Sequence, residues 1–471
     1  MTALLPTASR RAASTTGRAA HDAAVRRLRA SYDALPPGSP VRLAKRTSNL
    51  FRPREAVPGT GLDTSGLTGV IAVDPGARTA DVQGMCTYED LVEVTLAHGL
   101  APLVVPQLRT ITLGGAVTGL GIESTSFRHG LPHESVLEMD VFTGAGEVVT
   151  ASPTQHADLF ATFPNSYGSL GYATRLRIEL MPVTSHVALR HVRFDATGPL
   201  EQAVAEVTDT GAWAGEPVDL MDGTSFEPGH HVLSLGRFVD SDLPGSDYTG
   251  RGIYWRSVAE RETDLLTVRD YLWRWDTDWF WCSRAFGAQH PLVRRVWPRR
   301  LRRSDTYHRL VGLDQRFGVV DRLDARAGRP ARERVVQDVE VPVERLGEFL
   351  DWFDEAVGMR PVWLCPLRLR DSTAGTNPWP TYPLEPGRTY VNVGFWGAVP
   401  VGPEAPDAPL NRAIEAKVAE LDGHKSLYSE SFYDRATFDR LYDGPHLAAV
   451  KQRYDPDDRL TSLYDKAVRR R

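Results

Sequence analysis

The sequence predicts an α+β protein built from two sheet-based parts. Up to Pro182, short strands alternate with short helices and glycine-rich turns. After Val183 the connections lengthen and a segment dense in tryptophan and arginine intervenes. A second group of strands follows, and then a helical tail. At 471 residues the chain is too long for one small core, so two domains, or one large domain with an insertion, are expected.

Taken in order, Val25, Leu28 and Tyr32 fall at helical spacing, which predicts an amphipathic helix near the N-terminus. Strands are expected around Val70 to Val73 and Thr79 to Val82, a helix from about Tyr88 to His98, and a short apolar strand in "APLVVP". "HESVLEMDVFTGAGEVVTAS" reads as two strands joined by a turn. "HADLFATFPNSYGSLGYATRLRIELMPV" gives a short helix, a glycine loop and an alternating strand from Thr174 to Leu180. In the second part, "VVQDVEVPVERLGEFLDWFDEAV" is a strand followed by a helix with Leu346, Phe349 and Phe353 on one face. "RPVWLCPLRLR" and "RTYVNVGFWG" are further strands, and the tail from "GHKSLYSES" onward reads as helical with caps.

Composition narrows the function classes. No apolar uncharged run reaches about 18 residues, so no membrane-spanning helix is expected. The Arg-, Ala- and Ser-rich start could mimic a transit peptide but lacks the apolar core of a secretory signal. Three scattered cysteines, Cys86, Cys282 and Cys365, suit a reducing cytosol and no metal cluster. A net charge of −5 gives a nucleic-acid role no global electrostatic support. Only five of the 55 basic residues are lysines, a bias toward arginine that suggests a GC-rich, bacterial genome.

"TLGGAVTGLGIES" contains Gly119 and Gly121, but no GxGxxG completes from them and no acid follows at the ribose-binding distance. Gly114, Gly115, Gly119 and Gly121 lack the Cβ that would block close approach, so the loop could present consecutive N–H groups to a pyrophosphate. On glycine content alone, a tight structural turn is the alternative.

This loop, with "LAPLVVPQL" before it and "DLFATFPNSYGSLGYATRLRIELMP" after it, resembles the flavin-binding domain of the vanillyl-alcohol-oxidase (PCMH) type. Within that superfamily the likeness is to the Δ24-sterol reductases, and "VVQDVEVPVERL", "RPVWLCPLRL" and "HKSLYSESFYDRATFDRLYD" extend it over nearly the whole chain. "RLAKRTSNLFR", "GMCTYEDL" and "HGLPHESVLEMD" resemble an actinobacterial subgroup, the flavoproteins of tuberculostearic acid synthesis, which reduce a 10-methylene acyl chain to the 10-methyl branch. The resemblance implies an N-terminal helical segment (1–35), a two-part PCMH-type FAD-binding domain (36–183), an inserted substrate or cap domain (184–405), and a C-terminal return to the flavin domain (406–471).

It also implies site residues. Flavin contacts are expected from Thr47, Ser48 and Asn49 in "KRTSNLF", and from Thr112, Leu113, Gly114, Gly115, Ala116, Gly119, Gly121, Ile122, Glu123 and Ser124. Gly168, Ser169, Leu170 and Gly171 are expected along the cofactor. The first loop has no histidine for covalent attachment, so FAD is expected to be non-covalent. Lys425 is expected as a fixed cation beside the flavin, where it would stabilise the reduced anion; "GHKS" departs from the Trp-Gly-Lys of related aldonolactone oxidases, and a surface lysine is the alternative.

An isolated alkene has no carbonyl to accept hydride by conjugate addition. The implied route protonates one carbon and delivers hydride from flavin N5 to the other, with NADPH or a separate carrier as electron source. The acid must sit in a dry pocket, and Glu123, His424, Tyr428 and Tyr433 are the candidates. Glu123 could instead stabilise its loop, the tyrosines could be packing residues, and His129 and His133 could be ordinary loop residues. Trp363, Cys365, Asn392 and Phe395 are expected in the cap sheet over the flavin.

"YLWRWDTDWFW" followed by "RRVWPRRLRR" remains. Tryptophan favours bilayer interfaces and arginine attracts anionic head groups. With a lipid substrate implied, Trp273, Trp275, Trp279 and Trp281 with Arg294, Arg295, Arg299, Arg300, Arg302 and Arg303 read as a docking patch on the inner face of the cell membrane. Alternatively the tryptophans are core and the arginines form a solvated face or pair with Asp276 and Asp278. A methyltransferase of the same pathway is an implied partner. Competing readings are a sterol Δ24 reductase, a flavin oxidase of a lipid or sugar lactone, and a lipid-binding protein with structural flavin.

Overall fold

The computed structural model of the protein describes residues 14–45, 51–52, 59–317, 322, 326–370, 377–402 and 404–469. Two antiparallel sheets organise it. The first contains β1 (Val70–Asp74), β2 (Thr79–Gln83), β3 (Leu100–Pro102), β4 (Val136–Phe142), β5 (Val148–Ala151) and β6 (Tyr172–Pro182), in the order β1-β2-β6-β4-β5 with β3 also paired to β6. Strand β6 is central because its side chains alternate: Leu176, Ile178 and Leu180 join the core, while Arg175 points the other way. Arg175 bonds Asp140 on β4 at 2.7 Å and Asp81 on β2 at 2.6 Å, which ties three strands together. The helix Arg18–Asp33 packs here through Ala24 and Leu28, with Tyr32 edge-on to Phe142.

The helix after β2 ends at Leu96, two residues before His98, because the chain turns through Gly99 at φ 68°. The glycine segment differs more from its expected form. Leu113–Thr118 is a short helix whose N-cap, Thr112, accepts a hydrogen bond from Gly115 N–H.

The second sheet contains β7 (His186–Phe194), β10 (Leu220–Glu227), β11 (His230–Val239), β12 (Thr263–Thr267), β13 (Arg332–Pro342), β14 (Val362–Leu367), β15 (Tyr390–Pro400) and β16 (His424–Lys425); β8 (Ala212–Trp213) and β9 (Glu216–Pro217) form a separate hairpin. Its order is β12-β7-β11-β10-β14-β15-β13-β16. One face carries Val335, Val339, Val341, Val391, Val393 and Phe395 and packs on the helices Thr197–Thr210, Leu346–Ala356 and Pro409–Glu420. By the same alternation Asp222, Asp338, Glu340, Trp363, Cys365 and Asn392 share the opposite face, toward the first domain and the tryptophan segment. Phe395, expected over the flavin with Asn392, therefore faces the helices; neighbours of odd and even number cannot share a face.

The tail opens with an edge strand rather than a helix, Glu340 pairing with His424. Helices Arg435–Leu441, Gly444–Tyr454 and Leu463–Ala467, capped by Asp434, Asp443 and Ser462, then cross back to the first domain. Tyr454 Oη meets Asp158 Oδ1 at 2.9 Å and Lys466 Nζ meets Tyr167 O at 3.1 Å.

Tryptophans 273, 275, 279 and 281 are 1, 2, 8 and 3 % exposed, so they are core and not a membrane surface. Phe280 stacks on Trp275 at 4.9 Å and on Trp396 of β15 at 4.3 Å, filling the space between the sheets. Arg294 is paired with Asp278 at 2.7 Å and Arg303 with Glu89 at 2.7 Å, while Arg302 holds backbone carbonyls. That removes three of the six arginines from the expected patch; Arg295, Arg299 and Arg300 remain exposed. Asp276 pairs with Arg109, from the first domain.

Candidate functional site

The glycine helix shows why its glycines are needed. A Cβ on Gly114 would lie 2.6 Å from Gly84 O, one on Gly119 2.8 Å from Gly115 O, and one on Gly121 2.7 Å from Pro106 Cγ. Leu113 N–H donates to Cys86 O and Gly114 N–H to Gly84 O, both at 2.9 Å. The expected row of free N–H groups is therefore corrected: Gly114 and Gly119 admit backbone carbonyls and Gly121 a proline ring, and the N–H groups of Leu113, Gly114 and Gly115 are used within the chain. Gly115 stays exposed at the helix start. Beside it lies Lys45, whose Nζ is 3.4 Å from Thr112 Oγ1. Burial pushes the Lys45 pKa down, as for an ammonium with neutral neighbours. Lys45 was not singled out from sequence, although the scarcity of lysine was the available signal.

Other expected positions converge here. Tyr167 N–H donates to Thr118 O at 2.8 Å and Gly168 N–H to Thr118 Oγ1 at 3.1 Å, docking 167–171 on the far end of the glycine helix. Leu170 is fully buried core, and Gly171, at φ 137°, accommodates Phe142 O at 2.5 Å from where its Cβ would be. Ala116 and Ile122 are likewise core. Phe51 N–H donates to Tyr428 O at 3.1 Å, and Arg52 bonds Leu427 O at 2.6 Å, so the N-terminal loop meets the tail. Thr47, Ser48 and Asn49 lie outside the described residues.

The candidate acids separate by environment. Glu123 is held in a buried network: Arg274 Nη2 lies 2.7 Å from Glu123 Oε1 and 3.0 Å from Asp222 Oδ2, and both Trp275 and Trp363 donate to Asp222. Tyr271 Oη bonds Ser124 Oγ at 2.8 Å. Two carboxylates share one guanidinium, and burial raises the Glu123 pKa. His424 is forced down to about 3 by burial and the Lys425 charge, so it is neutral and no strong acid at ordinary pH. Tyr428 and Tyr433 are pushed well above 10 by burial; Tyr433 lies 6.3 Å from Tyr442, ring to ring.

Lys425 does not stand as a free cation. Its ammonium meets Glu430 O at 2.5 Å, Ser431 Oγ at 3.0 Å and Glu415 Oε1 at 3.0 Å. Three donors have three acceptors, which corrects the expectation that it is directed at the flavin.

Two acids missed from sequence stand at the meeting point of sheet and tail. Asp338 is bonded by Asn392 Nδ2 at 3.1 Å and by the Tyr428 hydroxyl, which Trp396 Nε1 contacts at 3.0 Å; burial raises its pKa to about 6. Glu340 is fully buried. Its Oε1 accepts from Ser426 Oγ at 2.9 Å and Tyr382 Oη at 3.1 Å, while Oε2 has no partner among the described residues. Desolvation first, and then the Asp338 charge, push the Glu340 pKa up to about 8. Within "QDVEV" both read as ordinary strand residues, because only sheet pairing shows which face is covered.

Ser169 Oγ, Asn392 Oδ1, Ser429 Oγ, His424 Nε2 and Glu340 Oε2 are buried without hydrogen-bond partners among the described residues. Such orphaned polar atoms, drawn from the glycine domain, the cap sheet and the tail, fit a polar ring system that brings its own donors and acceptors. With Gly115, Thr112 and Lys45 suited to phosphate, the residues present fit FAD.

Residues 28–152 match the family described as FAD binding domain. The chain is similar to the Δ24-sterol reductase of Homo sapiens, 23% identical over 423 residues covering 85% of this chain and 76% of that protein. The Δ24-sterol reductase of Arabidopsis thaliana is 22% identical over 454 residues, covering 87% and 77%. Cytokinin dehydrogenase 2 of Oryza sativa subsp. japonica is 35% identical over 158 residues, 32% of this chain and 27% of that protein. The antiparallel two-sheet architecture with an FAD-binding domain is that of a PCMH-type two-domain fold.

Proposed function

We propose that this FAD-dependent oxidoreductase reduces an isolated carbon–carbon double bond, and that its substrate is the 10-methylene acyl chain of a phospholipid, converted to the 10-methyl branch. One observation carries the reading: Glu340 is fully buried with an oxygen that has no partner among the described residues, and burial pushes its pKa up to about 8, which favours the protonated acid near neutral pH. An unconjugated alkene needs such a group, because protonation of one carbon must generate tertiary cationic character on the other.

Bound FAD would supply the hydride, with NADPH as the source of electrons. The chain's own residues do the rest. Ser426 and Tyr382 fix the orientation of the Glu340 carboxyl and remain as donors to the carboxylate once the proton has left. Trp363, Phe280 and Trp396 exclude water from the neighbouring sheet face. Lys45 and Thr112 would hold the pyrophosphate. No helix among the described residues is long and apolar enough to cross a membrane; the substrate class places the enzyme peripherally, on the inner face of the cell membrane.

A second reading is reduction of a sterol Δ24 bond, which makes the same demand for an acid and is the activity in the name of the human and Arabidopsis relatives. Incubating purified protein, FAD and NADPH with 10-methylene phospholipid and, separately, with a Δ24 sterol distinguishes them by mass spectrometry. Gain of two hydrogens by the acyl chain alone supports the first; gain by the sterol alone overturns it. Oxygen consumption by the reduced protein with neither alkene changed would instead indicate an oxidase.

A further inference from the structure

Of the six exposed large hydrophobic side chains among the described residues, three gather in one place. Leu292 (71 % exposed), Val296 (78 %) and Leu301 (41 %) fall within ten positions. Leu292 and Val296 are four apart on the helix Pro291–Val296 and so share a face; Leu301 ends the next turn. Arg295, Arg299 and Arg300 are interleaved with them and exposed, and Arg251 is exposed on the adjoining loop. None of these four arginines has a carboxylate within ion-pair distance among the described residues.

The inner arginines hold this projection in place. Arg294 bonds Asp278 at 2.7 Å and Gly252 O at 2.5 Å; Arg302 bonds Gly250 O at 2.6 Å, Trp297 O at 2.9 Å and the carbonyl of Arg294. The segment is therefore pinned to the loop 250–252, with its aliphatic and cationic groups turned outward.

We infer that Leu292, Val296 and Leu301, flanked by Arg251, Arg295, Arg299 and Arg300, form a docking surface for an anionic lipid bilayer. Aliphatic side chains enter the boundary between head groups and acyl chains, while unpaired guanidinium groups bond lipid phosphates in bidentate fashion. The charge pattern fits an anionic surface, since the outward groups of 291–301 are cationic or apolar. Three aliphatic side chains fall well short of the roughly 800 Å² that each partner contributes to a stable protein pair. A bilayer needs no such area, because charge and shallow insertion act together.

The surface shares its lipid setting with the proposed reaction, but its test reads binding alone and stands whichever alkene is reduced. Full-length protein is sedimented with vesicles of phosphatidylcholine, or of phosphatidylcholine mixed with phosphatidylglycerol, in low and high salt. The expected result is binding to the anionic vesicles only, weakened by salt. R251S/R295S/R299S/R300S should lower the partition coefficient about 100- to 1,000-fold, from about 1 kcal/mol per arginine near the surface. L292S/V296S should lower binding in low salt as well, and both variants should keep wild-type thermal unfolding and flavin content. Equal binding of wild type and the arginine variant overturns the inference, as does absence of binding to anionic vesicles. A wild-type dimer that L292S/V296S converts to monomer would overturn it in favour of a second copy of the chain.

Discussion

Glu340→Gln replaces a buried carboxylic acid by its closest neutral analogue. The amide oxygen can accept from Ser426 and Tyr382 as Glu340 Oε1 does, and the NH₂ group takes the place of the acid O–H. The substitution therefore preserves shape and removes titration. The Glu340 pKa is raised from 4.5 to about 8 in the folded protein. Because the folded state holds the proton to higher pH than the unfolded state, the stability this group contributes is fully present below 4.5. It is lost as pH rises through about 8. The whole interval corresponds to about 5 kcal/mol. Asp338, raised to about 6, titrates in the same window and its charge contributes to the Glu340 shift, while His424 stays neutral across it; the difference between the two proteins therefore reads Glu340 together with its coupling to Asp338. Urea unfolding between pH 5 and 8.5 should show the variant gaining about 4 kcal/mol on the wild type across that range. A difference that changes by less than about 1 kcal/mol would mean that Glu340 is already ionised in the folded protein, and the proposed proton source would be gone.

Lys45→Met should weaken FAD binding about 10- to 100-fold, the effect of losing one hydrogen bond to a charged group; flavin fluorescence titration measures it, and unchanged affinity would remove Lys45 from the phosphate site. Arg274→Met leaves Glu123 and Asp222 buried without their cation and should cost about 3–5 kcal/mol in chemical denaturation. Glu123→Gln in that background should restore part of the loss, and a cost under about 1 kcal/mol for Arg274→Met alone would refute the charge accounting. Acid precipitation of the flavin-loaded protein should leave all flavin in the supernatant; a yellow pellet would indicate a covalent bond.

Much of the fold is legible in the sequence because local pattern and tertiary environment agree. The alternation in β6 and the Leu346, Phe349, Phe353 stripe report the faces that become buried, and Asp434, Asp443 and Ser462 cap helices as their chemistry suggests. Where they disagree, sequence misleads. Trp273 to Trp281 read as a membrane surface only because the resemblance implies a lipid substrate, yet it is Leu292, Val296 and Leu301, ordinary residues in the string, that the fold leaves outside. The glycine segment was visible, but not that its bare Cα atoms admit Gly84 and Pro106. Asp338 and Glu340 were invisible as acids because what distinguishes them, a sheet face closed over by another domain, depends on partners distant in sequence. Lys425 looked exceptional as one of five lysines, and Glu415, which neutralises it, belongs to a separate helix.

Arg274 touches Glu123 next to the glycine helix and Asp222 in the cap sheet, and itself belongs to the tryptophan segment. Parting the two halves would strand a cation and its carboxylates on separate surfaces before water could reach them. The molecule therefore resists opening like a clam shell, and heat should melt both halves in one calorimetric transition.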